Sequence, residues 1–88
     1  MTLLFYVAVH EVQAFLIDNG HRPETHTARN HLVKTYWRPT IWPPYEALQQ
    51  RSRDARYNCV MPTEDDLNDA VLLLTKLRAA IDAERAVM

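Results

Sequence analysis

Glycine and cysteine are nearly absent from this chain of 88 residues, which contains one of each, Gly20 and Cys59. A single glycine disfavours an architecture rich in tight β turns, because such turns need left-handed backbone, and it favours helix. A single cysteine excludes a disulfide within the chain and fits a reducing cytoplasm better than secretion. We interpret Cys59 as a buried structural thiol rather than a nucleophile, since no histidine follows it in the chain.

The chain also has no apolar run long enough to span a bilayer. Its most apolar stretch, residues 1–17, is interrupted by His10, Glu11 and Gln13, whereas about 30 Å of hydrocarbon requires about 20 apolar residues. A basic region typical of a signal peptide is missing as well. With a hydrophobic content of 48%, which excludes disorder, these absences predict one cytoplasmic domain, residues 1–88, without a membrane segment.

Charge is unevenly distributed along the chain, although the net charge is only −1. Residues 21–56 contain seven arginines and lysines against three acids, whereas residues 57–88 contain three against six. A basic middle segment could meet the phosphates of RNA or of a nucleotide. The alternative is an ordinary solvated helix surface.

The spacing of apolar residues predicts two helices in the first half of the chain. The first covers residues 2–18 and is apolar on most of its circumference, so most of that surface must be covered. It has two stripes at helical spacing, one of Leu3, Val7, His10, Ala14 and Ile17, the other of Phe5, Ala8, Val12, Phe15 and Leu16. Gly20 suits the left-handed position that ends a helix. A short, polar second helix is predicted over residues 23–37, with Pro23 in its first turn.

Two more helices are predicted in the second half. Three prolines within residues 39–44 indicate a stiff loop, and a third helix is expected over residues 45–58. Thr63 is a suitable N-cap for a fourth helix that runs from Glu64 to near Ala86 and has three acids in its first turn. The sequence therefore predicts an all-α, compact four-helix bundle with two long and two short helices.

The first and fourth helices carry more apolar surface than a chain this short can cover by itself. A homodimer is therefore expected, and the predicted interface residues are Phe5, Val12, Phe15, Leu74, Leu77 and Ile81. The alternative is that these residues form a core packed within one chain.

The segment that attracts most functional interest is the polar end of the third helix. Arg51, Arg53, Arg56 and Tyr57 form a basic cluster that could hold a phosphate between arginine side chains. The alternative is that Asp54 pairs with the neighbouring arginines. No metal or cofactor site is predicted, because the four histidines lack the spacing of a helical metal pair.

Three segments resemble the HEPN family, a group of helical domains associated with nucleotides and RNA. These segments are residues 5–16 (FYVAVHEVQAFL), 20–26 (GHRPETH), and 52–57 with 62–66 (SRDARY and PTEDD). The resemblance covers nearly the whole chain and adds His26 to the candidate nucleotide- or RNA-binding residues. HEPN domains normally have another long helix before this tyrosine-rich one. The resemblance therefore implies a domain that lacks its usual first helix, by evolution or by the assignment of its start.

The resemblance also bears on catalysis. HEPN ribonucleases carry an arginine, a polar residue and then a histidine, and here Arg53 and Asp54 are followed by Asn58 near the place of that histidine. Asparagine cannot exchange a proton near pH 7, so RNA cleavage by this motif is not expected.

The function that follows is a non-catalytic HEPN-like module that homodimerises and binds RNA, a nucleotide or a protein. The family's habits suggest a nucleotidyltransferase-type partner in a toxin–antitoxin or defence system. The alternatives are a degenerate HEPN ribonuclease, in which His10 or His26 completes the site of Arg53 across the dimer, and a structural protein without a ligand.

Overall fold

The structure of the protein is a computed structural model that describes the backbone of residues 2–58 and 63–87, and the side chains of residues 3–54 and 63–87. Over these ranges it contains four helices, α1 (Thr2–Asp18), α2 (His26–Tyr36), α3 (Trp42–Asn58) and α4 (Glu64–Ala86). The predicted all-α four-helix bundle is confirmed, and its Cα radius of gyration of 13.0 Å is close to the ~12 Å of a compact domain of this length. None of the described helices is long and apolar enough to cross a membrane. The prediction about the Cys59 thiol lies outside the described residues.

Helix α1 has the predicted bounds, and its end follows from two residues. The side chain of Asn19 donates a hydrogen bond to the carbonyl of Phe15 at 2.8 Å, and Gly20 has the expected left-handed backbone with φ of 86°. The backbone N–H of His21 then donates to the carbonyl of Leu16 at 2.9 Å. These bonds satisfy carbonyls that would otherwise lack partners in the last turn.

Helix α2 begins at His26, three residues later than predicted. Thr25 is its N-cap, and the Thr25 hydroxyl accepts a hydrogen bond from the backbone N–H of Ala28 at 3.1 Å. Pro23 precedes the helix, and its carbonyl accepts a hydrogen bond from the Gln13 side chain at 3.2 Å. The prediction that Pro23 lies in the first turn was wrong, because a hydroxyl that caps the helix outweighs the fixed φ of proline.

Helix α3 begins at Trp42, three residues earlier than predicted. Pro43 and Pro44 lie in its first turn, where backbone N–H groups have no intrahelical acceptor and proline therefore loses nothing. The resulting helix has 17 residues, the same as α1. Only α2, with 11 residues, is short, so the expected division into two long and two short helices was wrong.

The core lies between α1, α3 and α4, with a smaller contribution from α2. Among the described side chains, thirteen apolar ones are buried in it: Phe5, Ala8, Val12, Phe15, Leu16, Val33, Ile41, Tyr45, Leu48, Ala70, Leu74, Leu77 and Ile81. Arg78 pairs with Glu11 at 3.2 Å and Arg85 pairs with Asp18 at 2.9 Å. Both pairs are separated by 67 residues, so α4 runs parallel to α1 along its side.

All six residues predicted at the dimer interface belong to this core. The most exposed of them, Phe5, has 8% of its surface accessible, and Val12 and Leu77 have none. These side chains are covered within a single chain and are not available to a second copy, which corrects the predicted interface. Of the large apolar residues that stay exposed on α1, Leu3 at 76% and Ile17 at 40% lie on its other stripe, and Tyr6 at 50% lies beside that stripe.

The N-terminal cap of α4 makes stability depend on pH. The Asp66 carboxylate accepts a hydrogen bond from the backbone N–H of Thr63 at 3.0 Å, and the Thr63 hydroxyl accepts one from the backbone N–H of Asp66 at 3.1 Å. The backbone bond first, and the hydroxyl second, lower the pKa of Asp66 below its ordinary value of 3.8. A lowered pKa in the folded state means that the cap stabilises the fold above that ordinary value and loses this effect as the pH falls through the folded-state pKa.

We therefore expect Asp66→Ala to lower the urea midpoint of unfolding at pH 6, and the difference from the wild type to shrink as the pH falls below the ordinary carboxyl pKa of 3.8. Asp65→Ala, which removes a charge from the same turn without touching the cap, is the matched control. If the loss of stability in Asp66→Ala and that in Asp65→Ala depended on pH in the same way, the pH dependence would not come from the cap that Asp66 forms with Thr63.

Candidate functional site

A pocket of about 370 Å³ lies between the beginnings of α1 and α2 and the middle of α3. Its lining residues are Phe5, Tyr6, His26, Thr27, Asn30, Gln49, Ser52 and Arg53. His26 and Arg53 were both predicted as ligand-binding residues, although 27 positions separate them in the sequence. The fold brings them to one pocket within one chain.

The side chains of the basic segment of α3 point in different directions and do not form one cluster. Arg51 turns towards α4, where its Nη1 lies 3.7 Å from Oδ2 of Asp69, whereas Arg53 lines the pocket. The Asp54 carboxylate accepts a hydrogen bond from Gln50 at 3.0 Å, and in the described part of the chain it pairs with no arginine. Of the two arginines in this segment whose side chains are described, Arg53 lines the pocket and Arg51 does not.

Three other predicted residues lie at the end of this segment. Arg56, Tyr57 and Asn58 belong to the backbone of α3, but their side chains are outside the described residues. Their predicted roles stay predictions.

The beginning of α2 contributes a positive electrostatic end to the pocket. His26 and Thr27, the first two residues of the helix, both line it. The first backbone N–H groups of a helix have no intrahelical acceptor, and the helix dipole places partial positive charge there. Together with the guanidinium of Arg53 this arrangement favours an anion.

A buried arginine positions His26. Arg29 is 9% exposed, and its Nε donates a hydrogen bond to Oε1 of Gln13 at 3.0 Å while its Nη1 lies 3.0 Å from Nδ1 of His26. A guanidinium can only donate, so Nδ1 of His26 accepts this bond and the neutral ring carries its proton on Nε2. On its other side the His26 ring lies 6.2 Å from the ring of Phe5, with 23° between their planes. The orientation and the tautomer of His26 are therefore fixed by its neighbours.

The charge of Arg29 is not neutralised locally. Within residues 3–54 and 63–87 no carboxylate pairs with it. The hydroxyl of Tyr45 is also buried, and it has no hydrogen-bond partner among the described residues. Burial raises the pKa of Tyr45, and the charge of Arg29 opposes that rise. A buried cation beneath the pocket adds positive potential, which is felt more strongly there than in water.

Two amide side chains join α2 to α3 at the pocket. Asn30 donates to Gln49 at 3.2 Å, and Gln49 donates back to Asn30 at 3.1 Å. These two residues, with Thr27 and Ser52, were missed by the sequence reasoning. Nothing in the spacing of Asn30 and Gln49 distinguishes them from surface amides, because their pairing exists only once the helices are packed.

The remaining histidines lie elsewhere. His10 is exposed on the outer side of α1 and does not line the pocket, and His21 stacks against Tyr36 with ring centroids 5.7 Å apart. Among the residues that the structure describes, no three of His, Cys, Asp and Glu are grouped so that they could hold a metal ion. Of the two histidines considered as partners of Arg53, His26 lines the same pocket as Arg53 and His10 does not.

Comparison of the chain with family models, curated proteins and solved structures finds no match. The chemistry of the pocket is therefore argued from its own residues. These are the guanidinium of Arg53, the beginning of α2, the imidazole of His26 and two aromatic rings, with the buried Arg29 bonded to that imidazole.

Proposed function

We propose that the protein is a non-catalytic, HEPN-like helical module that binds RNA or a nucleotide through a phosphate in the pocket between α1, α2 and α3. The observation that supports this most is that His26 and Arg53 line one pocket, with the buried charge of Arg29 bonded to His26. Three sources of positive potential converge there, and within the described residues neither Arg29 nor Arg53 has a carboxylate partner. A phosphate is the common biological anion that accepts hydrogen bonds from several such donors at once.

The rest of the pocket suits the organic part of a nucleotide. The rings of Phe5 and Tyr6 lie 6.5 Å apart at its edge, and Tyr6 is half exposed. Aromatic side chains stack on nucleobases without strong preference for one base. A volume of about 370 Å³ is at the lower end of the range of small-ligand pockets. One nucleotide unit, free or at the end of an RNA strand, is the largest ligand that this volume favours.

Arg53→Ala is expected to weaken binding of a fluorescently labelled oligoribonucleotide or nucleotide by roughly tenfold to a hundredfold, the loss of one charge-assisted contact. Fluorescence polarisation at low salt measures it. Arg38→Ala is the matched control, because Arg38 is an exposed arginine beyond the other end of α2, about 16 Å along the helix axis. Equal weakening by the two variants indicates a diffuse charge effect, and no binding by the wild type ends the proposal and favours a structural protein without a ligand.

A degenerate ribonuclease is the second candidate, and one observation favours it. His26 lines the same pocket as Arg53, so an imidazole, the side chain most often used for proton transfer, lies beside a phosphate-binding arginine. Prolonged incubation with RNA separates the two candidates. If the wild type cleaves RNA, and His26→Ala and Arg53→Ala both abolish this cleavage while Arg38→Ala does not, the protein is a ribonuclease rather than a binding module.

Self-association and a protein partner complete the proposal. The exposed apolar side chains of Leu3, Tyr6 and Ile17 on α1 support a homodimer, because burying them against a second copy would remove them from water. The HEPN resemblance extends the proposal to a nucleotidyltransferase-type partner in a toxin–antitoxin or defence system, with cytoplasmic location. A nucleotidyltransferase reading frame next to the gene, and co-purification of its product, would support that extension.

A further inference from the structure

The pocket between α1, α2 and α3 has two levels that lie one helical turn apart. At one level the side-chain amides of Asn30 and Gln49 donate to each other, at 3.2 and 3.1 Å. His26 lies four residues before Asn30 on α2, and Arg53 lies four residues after Gln49 on α3, a rise of about 6 Å on each helix. All four residues line the pocket. The pocket therefore has an amide level and, one turn away, a cationic level formed by Arg53 and the beginning of α2.

The amide pair is a bridge across the groove between α2 and α3. It joins a side chain of one helix to a side chain of the other, and each amide both donates and accepts. A nucleic-acid strand that ran along the groove would have to break both hydrogen bonds to pass. The pocket has a volume of about 370 Å³, which is small for a ligand site. The end of a strand therefore fits this pocket better than a strand that continues through it.

The cationic level offers donors from both helices. These are the guanidinium of Arg53, the hydroxyl of Ser52 and the first backbone N–H groups of α2. Ser52 is 3% exposed although it lines the pocket, so its side chain lies deep in it. None of the described residues that line the pocket is acidic. The site therefore suits a ligand with several acceptor oxygens and more than one negative charge.

The two kinds of phosphate in RNA differ in just these properties. A phosphodiester inside a strand has one negative charge and two oxygens free to accept hydrogen bonds. A terminal phosphate monoester has three free oxygens and a charge of about −1.5 to −2 near pH 7. Three groups of donors are matched by three oxygens, so the cationic level is better complemented by the monoester.

The buried charge of Arg29 adds to this preference. Arg29 is 9% exposed and bonded to His26, and no carboxylate pairs with it within residues 3–54 and 63–87. The Coulomb energy of a ligand in this positive potential is proportional to the charge of the ligand. A dianion consequently gains about twice as much from Arg29 as a monoanion does.

We infer that the pocket takes a terminal phosphate monoester, at the end of an RNA strand or on a free nucleotide, rather than a phosphodiester inside a strand. The inference rests on the proposed function and deepens it, because it states which class of phosphate is bound. A 5′-phosphate and a 3′-phosphate share this chemistry, and the experiment distinguishes them.

Competition binding tests the inference with RNAs that differ only at their ends. The probe is an oligoribonucleotide labelled at an internal base and phosphorylated at both ends, and its displacement is followed by fluorescence polarisation. The competitors have the same sequence and carry hydroxyl ends, a 5′-phosphate, a 3′-phosphate, or the methyl ester of either phosphate. At least one phosphorylated strand is expected to displace the probe at a concentration roughly tenfold to a hundredfold lower than the hydroxyl strand, the gain from charge-assisted hydrogen bonds.

The methyl esters are the matched control on the side of the ligand. A methyl ester returns the terminal phosphate to one charge and two free oxygens, while its position on the strand is unchanged. Displacement by the methyl ester is therefore expected to resemble that by the hydroxyl strand. Whichever of the two phosphorylated strands is preferred identifies the end that enters the pocket.

Three variants locate the preference in the protein. Arg53→Ala is expected to bring the ratio between the hydroxyl and phosphorylated strands close to one, and Ser52→Ala to reduce it severalfold. Arg38→Ala, which removes an exposed arginine far from the pocket, is expected to keep it. Circular dichroism at 222 nm shows whether each variant is folded, and the methyl esters test the inference on the wild type alone.

The outcomes that overturn the inference differ from those that overturn the proposed function. If hydroxyl, methylated and phosphorylated strands displace the probe equally well, the inference is wrong and the binding of RNA stands. A preference for phosphorylated ends that persists in Arg53→Ala also overturns it, because the terminal phosphate is then bound elsewhere. If the wild type binds neither the probe nor any of these strands, both the inference and the proposed function are wrong.

Discussion

Phe15→Ala is expected to lower the free energy of unfolding by about 3–5 kcal/mol, the usual cost of removing a buried phenyl ring. Phe15 is 1% exposed, and its ring packs edge-on against Trp37 with centroids 4.9 Å apart. The Arg85 guanidinium lies 6.0 Å from the ring centroid and adds a cation–π contact. Because a domain of this length has only about 4–13 kcal/mol of stability, the variant loses a large share of it and should unfold at a clearly lower temperature and urea concentration than the wild type. Circular dichroism at 222 nm during urea and thermal unfolding measures the effect.

Ile17→Ala is the matched control for this prediction. Ile17 lies two positions further on the same helix, is 40% exposed, and should cost less than about 1 kcal/mol when truncated. Comparison of Phe15→Ala with Ile17→Ala also shows whether Phe15 packs in the core or contacts a second copy of the chain. If Phe15→Ala gives a folded monomer of nearly wild-type stability, then Phe15 contacts a second copy rather than the core.

Arg29→Ala is expected to lower the free energy of unfolding by about 2–3 kcal/mol, because two charge-assisted hydrogen bonds and the packing of the side-chain stem are lost together. The same variant should weaken RNA or nucleotide binding at least tenfold, since it removes positive charge beneath the pocket and frees the ring of His26. Urea unfolding and fluorescence polarisation report the two effects separately.

Arg29→Met distinguishes packing from charge. Methionine replaces the stem but not the guanidinium, so stability should recover in part while binding does not. Lys34→Ala removes one exposed positive charge from the same helix and serves as the control for net charge. If Arg29→Met binds the ligand as tightly as the wild type, the buried charge of Arg29 does not contribute to binding, and its role is confined to stabilising the fold.

Helices α1 and α4 were predictable because their signals are local. An apolar stripe ends at Asn19 and Gly20, and Thr63 is followed by three acids and a long apolar pattern. The bounds of α2 and α3 were each wrong by three residues at the N-terminus. In both cases proline was the reason, because its fixed φ suits the first turn of a helix and also the segment just before it. Sequence alone does not decide between these positions at Pro23 or at Pro43.

Which stripe of α1 is buried in the core cannot be predicted from the sequence of that helix alone. Both stripes of α1 are largely apolar, and they differ by little more than His10 in one of them and two phenylalanines in the other. The structure buries the stripe with the two phenylalanines, whose rings fill more volume, and leaves the stripe that contains His10 outside. Predicting excess apolar surface was possible from composition, whereas assigning it to particular residues required packing.

For the pocket too, the sequence indicated individual residues, whereas their arrangement depends on how the helices pack. His26 and Arg53 were selected from the sequence for separate reasons, one from a resemblance and one from a basic cluster. That they share a pocket depends on how α2 packs against α3, and the amide pair of Asn30 and Gln49 depends on it too. Arg51 carries the same charge as Arg53 two positions away, but the helical turn directs it to Asp69 on α4.

The parallel contact between α1 and α4 also bears on how the chain folds during synthesis. Ribosomes add about 5–20 residues per second, and α1 emerges first, while the ion pairs that join it to α4 span 67 residues. Leu74, Leu77 and Ile81, which close the core over α1, belong to α4, the last of the four described helices to be made. The apolar faces of α1 and α3 therefore stay uncovered in the nascent chain until α4 has left the exit tunnel. Folding is consequently expected to be late and all at once, and a chain stalled within α4 should be bound by chaperones and cut rapidly by proteases.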